Sequence, residues 1–190
     1  MKLKKVLTLP EEEQRELFWN INVVKPIEEF KQGNDTYKYI PLGQHTYKNA
    51  DYIKRLFAEG SMESIFKAVS ECYSINIESI PSMPFRIFIR CLKSIKNDIE
   101  KDIEEQKKLE FFADEKVSFV LRQINADVMN QFGIYNVIEQ LSGGDKTKWE
   151  YFENLKYEKI KFMLTFNTLS NDTKKRFEQK YNEINKQLKK

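Results

Sequence analysis

The sequence predicts an all-α protein, an irregular multi-helix bundle arranged around one long central helix. Three observations lead there. Across residues 82–110 the apolar side chains Phe85, Phe88, Leu92, Ile95, Ile99 and Ile103 recur every three or four positions, the spacing that lines one face of a helix. Only six Gly and five Pro punctuate 190 residues, too few for a turn-rich sandwich. The hydrophobic fraction of 41% is enough for a chain of this length to bury a real core. With no internal repeat and no low-complexity linker, residues 1–190 read as a single helical domain, residues 172–190 being a basic C-terminal helix.

The elements follow in order. Thr8-Leu9-Pro10-Glu11 is a capping box, which predicts a helix to about Asn22 with Leu17, Phe18, Trp19 and Ile21 as its docking face. Val23 and Val24 lead into Pro26, and a short helix through Phe30 is expected to stop at Gly33-Asn34-Asp35. Tyr37, Tyr39, Ile40, Pro41 and Gly43 favour extended backbone, so a small hairpin is expected near residues 36–47. Residues 49–59 read as a helix ending at Gly60. Ser61 caps the next one, whose Ile65, Phe66, Val69, Cys72 and Tyr73 form an apolar stripe.

The central helix comes next, with Ser82 as its cap and Pro84 in the first turn, where a missing N–H is tolerated. At 1.5 Å per residue it spans about 40 Å. Asp114 is placed to cap a further helix carrying Val117, Leu121, Ile124 and Val128, broadened by Phe119, Val120 and Phe132. Gly133 breaks it. Residues 134–141 give one or two more turns, ended by Gly143-Gly144, and Asp145 restarts the chain for Trp149 and Phe152. A helix over residues 157–168, a break at Ser170-Asn171-Asp172 and a terminal helix complete the reading. Phe177, Tyr181, Ile184 and Leu188 repeat at steps of 4, 3 and 4 in that last helix, a short coiled-coil seam that leaves self-association open.

The formal charge of +3 comes from 32 basic and 29 acidic residues and hides an asymmetry. Residues 146–190 hold 12 Lys/Arg and 6 Asp/Glu, a surplus of six, so the first 145 residues carry −3. A basic end points to an acidic partner, nucleic acid or protein. Two cysteines, Cys72 and Cys91, lie in apolar surroundings with no CxxC spacing, which favours a reducing compartment and a structural role for each thiol. The start, Met1 to Leu7, imitates a signal peptide, but Pro10 and Glu11 to Glu13 end the apolar stretch at once. No membrane span is expected, and the cytoplasm is the expected location.

Motifs for catalysis are missing. No P-loop, Gly-rich phosphate cradle, GxSxG or HExxH occurs, so no catalytic residue, cofactor or metal is assigned and a non-enzymatic role is expected. His45 is the single histidine, in a Tyr-rich turn region where a surface or loop position is expected. Asp98, Asp102 and Glu105 share a face of the central helix and could hold a hard cation, yet nearby Lys101, Lys107 and Lys108 make a salt-bridged surface the simpler reading. Arg86, Arg90 and Lys93 recur at helical spacing, and Lys174, Lys175, Arg176 and Lys180 cluster near the end. These seven form the alternative, a helical nucleic-acid-binding protein.

The aromatic residues ask most for explanation. Trp149, Tyr151, Phe152, Tyr157, Phe162 and Phe166 crowd 18 positions, too many for one helical face. An exposed remainder would make a docking groove for an apolar partner helix. Phe132-Gly133-Ile134-Tyr135, followed by Leu141, Gly143-Gly144-Asp145, Lys148-Trp149 and Leu155-x-Tyr157-Glu158, resembles a pattern in small helical proteins from the tail gene clusters of tailed bacteriophages. Thr36-Tyr37-x-x-Ile40-x-Leu42, leading into helices with Ile53, Leu56 and Ile65, is similar to the front half of phage tail assembly chaperones. The resemblance implies a non-enzymatic protein that shields the apolar helices of a long tape-measure protein in the infected host cell, or stays in the virion as a minor component. Phe132, Tyr135, Trp149 and Phe152 are then the expected partner-binding anchors, with a phage tail or other virion protein as partner.

Overall fold

The computed structural model describes residues 2–10, 12–14, 22–110 and 131–188, the side chains of residues 109, 110 and 185–188 excepted. Its elements are helix α1 (Leu3–Val6), strands β1 (Glu29–Gln32) and β2 (Asp35–Lys38), and helices α2 (Tyr47–Glu59), α3 (Met62–Tyr73), α4 (Phe85–Glu110), α5 (Ile134–Ser142), α6 (Trp149–Asn154) and α7 (Tyr157–Leu188). Short 3₁₀ turns cover Leu42–Gln44, Ile77–Ser82 and Lys146–Lys148. Among the described residues the fold is all-α apart from one two-stranded hairpin. Among the described residues no helix is long and apolar enough to cross a membrane. The chain divides into two compact units, Met1–Ile103 and Glu104–Lys190.

In the first unit α4 is the spine; of the predicted stripe Phe88, Leu92 and Ile95 are buried, Phe85 and Ile99 are half-buried and Ile103 is exposed. Phe88, Ile89, Cys91, Leu92 and Ile95 are buried on it, and the Phe88 ring meets Phe66 of α3 edge-on at 5.7 Å. The helix also fastens the loops around it with polar side chains. Ser94 Oγ accepts from the Ile27 amide at 2.9 Å and donates to the Ile27 carbonyl at 2.8 Å. Asp98 Oδ2 accepts from the Tyr39 hydroxyl and from the Leu42 amide. Asp102, almost fully buried, pairs with Lys54 of α2 at 2.5 Å. A buried polar group without such partners is costly, so each bond also fixes where its loop must lie.

The helical hairpin of α2 and α3 forms as its caps dictate. The Thr46 and Ser61 side chains accept from the Asn49 and Ser64 amides, and Gly60 ends α2 at φ +70°, in the left-handed region that favours glycine. At the other end Leu3 and Val6 of α1 are fully buried, and the Leu3 amide donates to the Met83 carbonyl.

Four expectations are corrected. Phe30 lies in a strand, not a short helix. The hairpin is Glu29–Lys38, earlier than the 36–47 region, with Gln32 opposite Asp35. Gly33, at φ +65°, takes the first position of the two-residue turn, where only glycine sits without strain. What holds the strands is aromatic packing: Phe30 stacks on Tyr37 at 5.4 Å and meets Tyr73 at 5.5 Å. Ser82 does not cap α4, because its hydroxyl donates to the Ser79 carbonyl and accepts from the Gln32 amide, and Pro84 supplies the first helical carbonyl instead.

The third correction concerns Ser170-Asn171-Asp172, which does not break the chain, since α7 is one helix of 32 residues. Thr168 and Thr173 bond back to the Leu164 and Leu169 carbonyls and Asp172 pairs with Arg176 one turn on, so the polar side chains are satisfied inside the helix. Residues 172–190 are therefore the continuation of α7 rather than a separate element. Finally, His45 is buried rather than at the surface. The expected helices at residues 8–22, with Leu17, Phe18, Trp19 and Ile21, and at 114–128 fall largely or wholly outside the described residues.

Candidate functional site

The candidate docking face is built on α6 and α7 in the second unit. Gly143 and Gly144 stop α5 with φ of +64° and +84°, and Asp145 caps the next turn by accepting from the Thr147 amide and hydroxyl. The Thr147 hydroxyl first, and then Lys148, hold the Asp145 carboxyl below its usual pKa. After α6 the chain extends at Leu155 and re-enters helix at Tyr157. That elbow sorts the aromatic residues. Phe152, Tyr157 and Ile160 turn inward and are buried, while Tyr151, Phe162 and Phe166 stay 63%, 70% and 61% exposed.

Outward, Tyr151, Leu155, Phe162 and Met163 line an open groove of about 450 Å³ with Glu158 and Lys159. A second groove, with Thr147, Glu150 and Asn154, shares Tyr151 and Leu155 with it. The apolar surface continues along α7 through Leu169, Phe177, Tyr181 and Ile184, all exposed. Phe162 stacks on Phe166 at 6.4 Å and Phe177 on Tyr181 at 6.0 Å. At 100° per residue these side chains fall within about one third of the helix circumference, and the buried Tyr157 and Ile160 fall on the opposite side. Thus α7 has two apolar faces over its first turns, one packed and one open.

Of the four expected anchors, only Phe132 is exposed. Tyr135 and Trp149 are half-buried and tilt against each other at 5.3 Å, with Trp149 Nε1 donating to Glu139 and Lys146 over the indole at 5.8 Å. This cluster ties α5 to the start of α6. Phe152 is a core residue, so it has no surface to offer a partner. The residues the expectation passed over as anchors are Tyr151, Phe162 and Phe166. The signal for them was present: Phe166, Phe177 and Leu188 lie 11 positions apart, as do Phe162, Thr173 and Ile184, and an 11-residue repeat stays nearly in line along a straight helix.

The candidate basic residues fall three in the first unit and four in the second. Arg86, Arg90 and Lys93 belong to the first unit, and Arg90 is spent on the Lys25 and Pro26 carbonyls. Lys174, Lys175, Arg176 and Lys180 are exposed on α7, where Arg176 pairs with Asp172 and Lys180 with Glu183. The three carboxylates of α4 do not converge: Asp98 faces Tyr39 and Leu42, Asp102 faces Lys54, and Glu105 pairs with Lys161. Among the described residues no group of three His, Cys, Asp or Glu is placed to hold a metal ion.

Three further buried groups, His45, Cys72 and Cys91, lie in the first unit. His45 Nε2 meets the Ile40 carbonyl at 3.2 Å and its Nδ1 meets the Asn49 amide at 3.1 Å, an arrangement suited to the neutral ring. Burial lowers its pKa, against an opposing pull from the Ile40 carbonyl. Burial likewise raises the Cys72 thiol and pushes Cys91 up to about 12, which removes thiolate chemistry from both. A groove of about 580 Å³ in the first unit includes Tyr39, Ser94 and Asp98, whose polar atoms already fasten loops to α4. Comparison with protein-family models, curated proteins and solved structures yields no match.

Proposed function

We propose that this protein is a non-catalytic assembly factor that works by protein–protein contact, holding an apolar helical segment of a client against the aromatic face of α6 and α7. One observation carries the reading: six large apolar side chains stand exposed in a row on α7 and run into the groove at Tyr151. An apolar row of that kind, interspersed with Ser170, Thr173 and Lys180 and edged by charge, is what a helix-in-groove partner requires. The resemblance to tail assembly chaperones of tailed bacteriophages fits it, with the helical tape-measure protein as client in the host cell. Nucleic-acid binding has less support, because Arg90, Arg176 and Lys180 are engaged within the chain.

The test is affinity capture by tagged protein from the cells that produce it, with and without nuclease, read by mass spectrometry. Wild type should retain a long helical protein that survives nuclease, and Tyr151→Asp should lose it. Capture that Tyr151→Asp leaves intact, or that disappears with nuclease, refutes the reading.

A further inference from the structure

The open face of α7 has a repeat that reads almost the same in both directions. Phe162 and Ile184 lie 11 residues before and after Thr173, Leu169 and Phe177 four before and after, Phe166 seven before and Tyr181 eight after. Two copies of α7 laid antiparallel about Thr173 therefore set Phe162 against Ile184 and Leu169 against Phe177. Every large exposed residue of one copy then meets an apolar position of the other, or one residue beside it. We propose that the first occupant of this face is a second copy of the same chain, paired antiparallel through α7. This rests on the reading of the face as a docking surface and adds its resting partner.

Charge selects the direction. Residues 173–190 carry seven basic and two acidic side chains, whereas residues 157–172 carry two of each. A parallel pair sets the basic half against itself, which like-charge repulsion disfavours. The antiparallel pair sets it against the neutral half. Size agrees as well. The six side chains are 45–70% exposed and offer on the order of 600 Å² per copy. A pair hides on the order of 1,200 Å², the lower bound for a stable interface.

The experiment uses the full chain. Sedimentation equilibrium between 1 and 100 µM should give twice the 22.7 kDa chain mass for wild type. For Phe177→Asp it should give the single mass, with association weakened on the order of 100-fold or more. Direction is read with Leu169→Cys and Phe177→Cys carrying tags of different size. Mixed and oxidised, they should form the mixed disulfide, while each alone should form little, because like positions lie too far apart in the antiparallel pair. The native thiols are buried and do not interfere. A wild-type monomer at 100 µM, or ready self-crosslinking of each variant alone, overturns the proposal. Client capture is scored separately through Tyr151, which lies outside the paired row, so a failure of pairing is told apart from a failure of client binding.

Discussion

Asp98→Ala should destabilise the first unit by an amount that can be worked out from two hydrogen bonds. A single oxygen, Oδ2, accepts from the Tyr39 hydroxyl at 3.0 Å and from the Leu42 amide at 2.7 Å. Leu42 is 1% exposed, so its orphaned amide loses a charge-assisted bond and gains little from water, a cost of about 1.5–3 kcal/mol. Tyr39 borders an open groove. Its hydroxyl loses a single bond, a share of about 1 kcal/mol. The total is about 3 kcal/mol, or roughly 6–12 °C in Tm for a chain of this size. Asp98→Asn keeps an acceptor oxygen and should cost about 1 kcal/mol. Thermal and urea unfolding followed by circular dichroism measure both. A loss below about 1 kcal/mol for Asp98→Ala, or equal losses for the two variants, would show that Asp98 does not anchor the loop.

Three further outcomes are expected. Burial lowers the folded-state pKa of His45 below its ordinary 6.5, so on acidification the unfolded chain takes the proton first; stability should be full above pH 6.5 and fall below it, and His45→Gln should flatten unfolding curves measured between pH 7 and 5. Phe88→Ala should cost about 3–5 kcal/mol as a fully buried ring, whereas Phe162→Ala, exposed on α7, should stay within about 0.5 kcal/mol in urea titrations dilute enough to keep the chain monomeric; similar losses for the two would mean that Phe162 is core. Ser74 ends α3 at φ +51°, ψ +37°, a conformation that costs a side chain about 1 kcal/mol, so Ser74→Gly should raise the Tm, and an unchanged or lowered Tm would count against strain there.

Helix α4 was legible from its periodicity and the α2–α3 junction from its caps, whereas the longest helix, α7, was expected to break at residues 170–172. In α4 the apolar stripe, the preceding proline and the length all pointed one way, and Gly60 and Ser61 marked the α2–α3 junction. The hairpin was obscured because Glu29, Lys31 and Lys38 are ordinary helix or surface residues. Its stability comes from Phe30, which stacks on Tyr37 and packs against Tyr73, the latter a contact across more than forty positions that no local pattern contains. His45 was misplaced for the same reason: its partners Ile40 and Asn49 are close in sequence, but its burial is not written in any local pattern. The candidate site was half legible. Crowding showed that some aromatics must face out, but the elbow at Leu155 decides which, and an elbow is set by ψ at one residue rather than by composition.

The continuity of α7 links these local facts to the proposed role. Had Ser170-Asn171-Asp172 broken the helix, Phe162 and Phe166 would belong to one short segment and Phe177 to another, with no common face. Because Thr168, Asp172 and Thr173 satisfy their polar atoms within the helix, the 11-residue repeat holds its direction across the junction, drifting only about 20° per repeat on a straight helix. A helix with polar side chains on every outward position needs no partner. One that keeps an apolar row in line from Phe162 to Ile184, while burying Tyr157 and Ile160 on its opposite side, leaves on the order of 600 Å² of apolar surface in water at roughly 25 cal/mol per Å². That is a driving force of order 10 kcal/mol before ordering costs, and it favours any partner that covers the row. Breaking the line with a helix-interrupting Asn171→Pro should therefore weaken pairing more than any single aromatic deletion on the row, since it divides the face while leaving all six side chains in place.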